Sequence, residues 1–370
     1  MARFLEWTGL RTFVGLTMKR RLATATMAAL ALSLFFGTAR AQTERAAASG
    51  SNEGDEHGEE EDIPQSVQAQ TGAGTGAGGM RFGGIFILEQ QLGSGTFVKD
   101  SYARNPYYAW LLSLRPRFYF TNHLFVELRV DLQQELTTSY ATTTTKKRQL
   151  MPSDTLLTIR YQSAYKIPVL GISISPYFRI AAPTSYESQY RDLYLSVTPA
   201  FDLQKLIGPV LVTYIFRFTK NFNKYTVATV PKDVETPVSL ARIGGAEDLG
   251  SVIATGKNNI SFSVFNALML TYIINAEWSA SLYWGVANAW TYKSYPEQPN
   301  AKGGRGQRDV MYGVVDISYQ PWKHLGFSFG VYTKQPVKTN DNKTIRFPFY
   351  DIHTPGNNYT VWYLDVVSIF

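Results

Sequence analysis

The chain contains no cysteine. That excludes disulfides, thiolate metal sites, cysteine nucleophiles and a lipidated cysteine anchor. Histidine is nearly as scarce, with four in 370 residues. His57 falls in an acidic tail, His123 and His324 in short polar turns, and His353 in the loop sequence FYDIHTPGNN beside Asp351. An Asp/His pair in that loop is the one place where a hydrolase centre has raw material, and a polar loop accounts for it as well. No histidine stands within an alternating segment, so we expect no enzyme and no metal or other cofactor. Helical periodicity is missing from Met80 onward. A phosphate-binding loop is missing too, because the glycine-rich TGAGTGAGG precedes the first alternating segment and does not join a strand to a helix.

The start of the chain carries an address. From Met18 the sequence reads MKRRLATATMAALALSLFFGTARAQT: a basic cluster, an apolar run ending at Phe36, and the small-residue site Ala39-Arg40-Ala41. This is the layout of a secretory signal peptide, so we expect residues 1–41 to be removed, with Met18 as the true start. The apolar run is short for a membrane span. Residues 42–80 hold eight acids against one basic residue and almost no large apolar side chain, and read as a disordered acidic and glycine-rich periplasmic tail. The formal charge of +7 therefore hides a division. Residues 81–370 carry about +9 and the tail about −7. Export makes nucleic acid an improbable partner for the basic part; anionic solutes and lipid head groups fit it better.

Residues 124–135, LFVELRVDLQQE, place Leu124, Val126, Leu128, Val130 and Leu132 on one parity and Glu127, Arg129, Asp131, Gln133 and Glu135 on the other. Successive strand residues point to opposite faces, so such a strand has one apolar and one charged face. Twelve segments of this kind follow from residue 81: roughly 81–92, 108–120, 124–136, 154–166, 170–182, 190–203, 209–221, 258–273, 276–290, 309–320, 324–335 and 358–370. Their connections alternate long and short, as in TTSYATTTTKKRQLMPS followed by IPV. A soluble sandwich has no reason to sort its loops by length. A closed antiparallel transmembrane barrel does, with long outer loops, short periplasmic turns and both termini on the short-turn side. The expected fold is thus an all-β barrel of twelve strands, residues 81–370. Fourteen is the alternative, because the connection 222–257 contains YTVATV and SVIAT, which either prolong the neighbouring strands or add a hairpin.

The last strand, TVWYLDVVSIF, closes on Phe370 and resembles the C-terminal signature of Gram-negative outer-membrane β-barrel proteins, with Ser368 where that pattern usually has an aromatic. The resemblance implies insertion by the barrel-assembly machinery. Trp110 and Trp290 fall near outer strand ends, and Trp278 and Trp322 near inner ones, as interfacial girdles require.

Carried through every strand, the parity turns Arg115, Arg117, Arg129, Arg160, Arg179 and Arg217 inward from neighbouring strands, with Glu127 and Asp131 among them. A guanidinium binds two oxygens of a carboxylate or phosphate at once, so a stripe of six would collect anions and guide them. Twelve-stranded porins for acidic oligosaccharides are similar in this respect, by architecture alone. Inward acids, including Glu89, Glu135, Asp192, Asp202, Glu277, Asp316 and Asp365, offer the competing outcome of a lumen filled by ion pairs. The expected function is a porin for small hydrophilic, preferably anionic solutes. The alternative is a closed barrel acting as a structural, adhesive or binding protein, with a hydrolase third. Basic outer-loop residues such as Lys146, Lys147, Arg148, Lys302, Arg305, Arg308, Lys338, Lys343 and Arg346 suit lipopolysaccharide phosphates.

Overall fold

The computed structural model describes residues 81–94, 107–137, 148–231, 247–248, 252–293, 305–339, 343–347 and 360–370. The signal peptide, the acidic tail with His57, the His353/Asp351 pair, and Lys146, Lys147 and Lys302 lie outside the described residues.

Alternation becomes strands as expected. In chain order these are β1 (Arg81–Gly93), β2 (Tyr108–Tyr119), β3 (Leu124–Glu135), β4 (Leu150–Pro152), β5 (Thr155–Tyr161), β6 (Tyr165–Ile167), β7 (Ile172–Ala182), β8 (Leu193–Ile207) and β9 (Val210–Asn223). They continue with β10 (Val227–Pro231), β11 (Glu247–Asp248), β12 (Val252–Asn258), β13 (Ile260–Ile273), β14 (Trp278–Thr291), β15 (Gln307–Trp322), β16 (Leu325–Pro336) and β17 (Thr360–Ile369). A single helical turn, α1 (Tyr186–Tyr190), sits between β7 and β8.

Every neighbouring pair is antiparallel. β1 pairs with β17 on one side and β2 on the other, β2 pairs with β3, and the chain of pairings returns through β5, β7, β8, β9, β13, β14, β15 and β16 to β17. The result is a closed ring of twelve strands. The fourth is interrupted: β4 and β5 pair with β3, and β5 and β6 with β7, so three short pieces stand in one strand position. Closure pairs the ring on both sides, the short pieces β4 and β6 apart, as strands in hydrocarbon require. The fourteen-strand alternative does not hold for the ring. β10, β12 and β11 form a sheet of their own, and β10 pairs with β12 directly beyond the β9–β13 pairing, prolonging that hairpin.

Local chemistry makes the short connections. Gly208 has φ 58 at the first central position of the hairpin between Ile207 and Val210, a left-handed conformation that favours glycine. The Thr121 hydroxyl accepts from the backbone N–H of His123 and Leu124, and Asn275 Oδ1 from those of Glu277 and Trp278. Each side chain supplies an acceptor that the tight turn lacks. Long connections lie at the other end throughout, so the loop sorting holds.

Lipid-side and interior parity separate as the sequence pattern requires. Leu114, Phe118, Leu128, Leu157, Ile159, Phe178, Trp284 and Leu364 are exposed on the outer surface, while Ser113, Asp131, Thr158, Ser175, Thr213 and Asp365 are buried on the inner one. In water that exterior would be costly, since each exposed large side chain forgoes roughly 1.5–3 kcal/mol of burial. Against hydrocarbon the cost disappears, so the band is a lipid-facing surface. Aromatic rings mark its limits: Trp278 stacks on Tyr319 at 4.4 Å near the short turns, and Phe262 on Trp290 at 5.0 Å near the long loops.

Candidate functional site: two unlike halves of the barrel interior

All six arginines selected by parity face inward, and they lie on β2, β3, β5, β7 and β9, within one unbroken arc of the ring. They do not form a bare stripe. Arg117 donates to Glu127 at 2.6 Å, Arg129 is paired with Asp131, and Arg160 reaches across β7 to Asp202 on β8 at 2.9 Å. Arg115 Nε donates to the Ser113 hydroxyl at 2.9 Å, from a position opposite Ile85 of β1.

Arg160 and the remaining two arginines gather around one ring. The Arg160 guanidinium lies 4.4 Å and that of Arg179 5.7 Å from the Tyr177 centroid, and Arg217 Nε donates to the Tyr177 hydroxyl at 2.8 Å. Tyr177 thus presents its face to two cations and its oxygen to a third, and the aromatic quadrupole keeps the like charges in one neighbourhood. Among the described inner-face residues of this arc, six guanidinium groups stand against four carboxylates, those of Glu127, Asp131 and Asp202 and, at the end of β3, Glu135.

The other half of the ring, β13 to β17 with β1, is built differently. Phe265, Ala267, Met269, Tyr283, Tyr312, Val314 and Tyr363 pack on one another over its inner face, with Ile215 of β9 at the junction. Ile85, Ile87 and Val367 form a second apolar cluster. Its mid-depth charges are carboxylates: Glu89 and Asp365 are direct partners across the β1–β17 pair, and Asp316 accepts from the Tyr363 hydroxyl at 3.3 Å. Gly330, between β15 and β17, makes that reach possible. A Cβ there would stand 2.8 Å from the Tyr363 hydroxyl and 2.5 Å from the Val315 carbonyl oxygen.

Sequence reading missed the apolar half for a physical reason. Parity stands out only when the two faces differ, and β1 and β13 carry large apolar residues on both. The serines at 261 and 263 hold the available signal, because extending their parity brings Phe265, Ala267 and Met269 to the same face. Asp202 was placed inward, but its tie to Arg160 spans two strands and has no local signature. Two inward expectations are corrected. Glu277 is exposed in the turn before β14, and Asp192 follows α1 with φ 50, where its backbone carbonyl accepts from the Lys224 N–H at 2.8 Å. Both fall where the extended backbone has already ended, so alternation no longer applies.

Inner-face burial is extreme. Ser113 and Asp365 are 0% exposed, Phe265 1% and Tyr283 2%. Residues lining a broad water column would be wet, so the interior holds side chains packed laterally along the wall. His123 and His324 stay outside it, each with Nδ1 against a backbone carbonyl, that of Gln162 at 3.1 Å and that of Ile369 at 3.0 Å.

No family model matches the chain, and no curated protein matches it. Among solved structures, an outer membrane channel from Pseudomonas putida F1 aligns over 78% of this chain and 95% of its own, at 12% identity and a TM-score of 0.46. LpxR from Salmonella typhimurium aligns over 77% and 100%, at 9% identity and a TM-score of 0.35. OmpF from Salmonella typhi aligns over 79% and 97%, at 6% identity and a TM-score of 0.33. The closed antiparallel cylinder, with its greasy exterior band between aromatic girdles and its ionised interior, has the architecture of a transmembrane β-barrel.

Proposed function

We propose that the barrel passes small hydrophilic solutes across the outer membrane by a narrow route, with a preference for anions along the arginine wall. The observation that carries this reading is the excess of guanidinium over carboxylate on the arc from β2 to β9, set apart from the carboxylates of Glu89, Asp316 and Asp365. An anion on that wall meets preoriented donors at Arg115, Arg117, Arg129, Arg160, Arg179 and Arg217, while Glu127 and Asp131 hold two of them in place. Burial of the inner face supports a narrow route and argues against a wide one. In this reading both termini and the short turns are periplasmic, and the strand ending in Phe370 is the segment that the assembly machinery engages. No catalytic role or cofactor is proposed.

The same burial supports a second reading, a barrel closed to bulk water that acts through its loops. Planar-bilayer recording of the refolded protein separates the two. The conduit gives discrete current steps and a reversal potential on the chloride side in a potassium chloride gradient. A silent membrane from heat-modifiable, folded protein favours the closed barrel, and cation selectivity removes the arginine wall from the mechanism.

A further inference from the structure

The outer surface near the long loops carries a feature that the interior does not explain. Lys220 of β9 and Phe262 of β13 are direct partners across their pair, and Phe262 is in turn the partner of Trp290 on β14. Rings of Phe218, Phe262 and Trp290 form a continuous row, with centroids 6.1 and 5.0 Å apart. Two cations flank it. The Arg305 guanidinium lies 5.3 Å from the Phe262 centroid, and Lys220 Nζ lies 4.7 Å from that of Tyr292. The Lys220 ammonium donates to the carbonyl and hydroxyl of Ser261 at 3.0 and 2.8 Å, which leaves one of its three protons unused. Among the described residues neither cation has a carboxylate partner. Asp309, at the start of β15, is occupied by the amides of Asn288 and Gln307, at 2.8 and 2.9 Å.

Depth says what this surface meets. Strands rise about 3.3 Å per residue, so Lys220 stands ~33 Å along β9 from Val210. At a tilt of ~40° that is ~25 Å of height, the thickness of the apolar band of such barrels. Lys220 therefore sits at the level of lipid head groups, with the rings of Phe262 and Trp290 at its own register on the neighbouring strands and Arg305 against Phe262. A guanidinium fork over Phe262 and an ammonium on that ring's strand partner suit a phosphate dianion, and a row of flat rings suits an attached sugar or the root of an acyl chain.

We infer that Lys220 and Arg305 form a clamp for the phosphate of a phosphorylated glycolipid of the lipid A type, seated on Phe218, Phe262 and Trp290. The inference rests on the orientation proposed above, with long loops outward, and is independent of whether the lumen conducts. Its test is native mass spectrometry of the folded full-length barrel in detergent, offered bis-phosphorylated lipid A, dephosphorylated lipid A or phosphatidylglycerol, with inorganic phosphate as competitor. Lipid A should be retained at the greatest occupancy, removal of its phosphates should abolish retention, and millimolar phosphate should displace it only weakly. Lys220→Gln with Arg305→Gln should lower lipid A occupancy roughly tenfold, the effect of losing two charge-assisted contacts. Arg305→Gln alone, at an exposed position, should give part of that loss in a fully folded barrel. Equal retention of dephosphorylated lipid A, equal competition by free phosphate, or unchanged occupancy in both variants overturns the clamp. Stronger retention of phosphatidylglycerol also overturns it. Because the chain has no cysteine, labelling Lys302→Cys on intact cells tests the orientation separately. A labelled cell surface without lipid A selectivity refutes the clamp and leaves the orientation standing.

Discussion

Arg115→Gln removes one positive charge from the lumen wall while keeping an amide donor for the Ser113 hydroxyl. Arg115 stands where the basic half meets the carboxylate-bearing half, on β2 facing Ile85 of β1, and its Nε contact to Ser113 at 2.9 Å fixes the guanidinium against the wall. An ion passing ~6 Å from that charge interacts with it by ~0.7 kcal/mol even at the dielectric constant of water. That is about threefold in the local concentration of chloride and about threefold in the opposite sense for potassium, so the permeability ratio should fall about tenfold, since ~1.4 kcal/mol is a factor of ten. Exclusion of water from a narrow interior lowers the dielectric and enlarges the effect. The assay is the reversal potential in a potassium chloride gradient kept near 0.1 M, where screening extends over ~10 Å and does not hide the charge. A ratio within about twofold of the parent, in protein that refolds to the same heat-modifiable form, refutes an arginine-controlled route.

Three further outcomes follow from the packing. Asp202→Ala leaves Arg160 without its carboxylate in a mostly buried site and should cost about 3–5 kcal/mol in urea unfolding from lipid vesicles. Arg160→Ala together with Asp202→Ala should restore part of that loss, and a double-variant loss equal to the sum of the two single-variant losses would mean that the pair contributes nothing. Leu128→Arg puts a charge on the lipid face in mid-strand and should cost about 2–4 kcal/mol, whereas Leu124→Arg at the strand end should cost about 0–1 kcal/mol; equal costs would contradict a hydrocarbon exterior. Gly330→Ala drives a methyl toward the Val315 carbonyl and the Tyr363 hydroxyl and should cost about 1–3 kcal/mol. At Gly326 the nearest atom to an added Cβ is 3.6 Å away, and Gly326→Ala should be close to neutral.

Much of the architecture is written in order along the chain. Residues 124–135 declare their two faces by alternation, and β3 (Leu124–Glu135) spans that stretch with Leu128 outside and Asp131 within. Thr121, Asn275 and Gly208 mark short turns by their own chemistry, and long loops alternate with those turns. What was not legible depended on pairs distant in sequence or on faces without contrast. YTVATV and SVIAT read equally as an extra hairpin or as extensions, and only the β10–β12 pairing beyond β9 and β13 chose between them. The fourth strand looked continuous, yet β4, β5 and β6 divide it.

The sequence by itself determined the all-β class, the parity of the charged residues and the inward direction of the six arginines, because a strand's side-chain period is set by its own backbone and needs no neighbour. Tertiary structure alone decided which guanidinium meets which acid, that Arg160, Arg179 and Arg217 converge on Tyr177, and that the interior divides into a basic half and an apolar, carboxylate-bearing half. Those arrangements depend on the registers between strands whose contacting residues are 42 apart in the Arg160–Asp202 pair and 47 apart in the Asp316–Tyr363 pair, and on the closure that brings β1 against β17. Register is a property of pairs, fixed only when the ring closes.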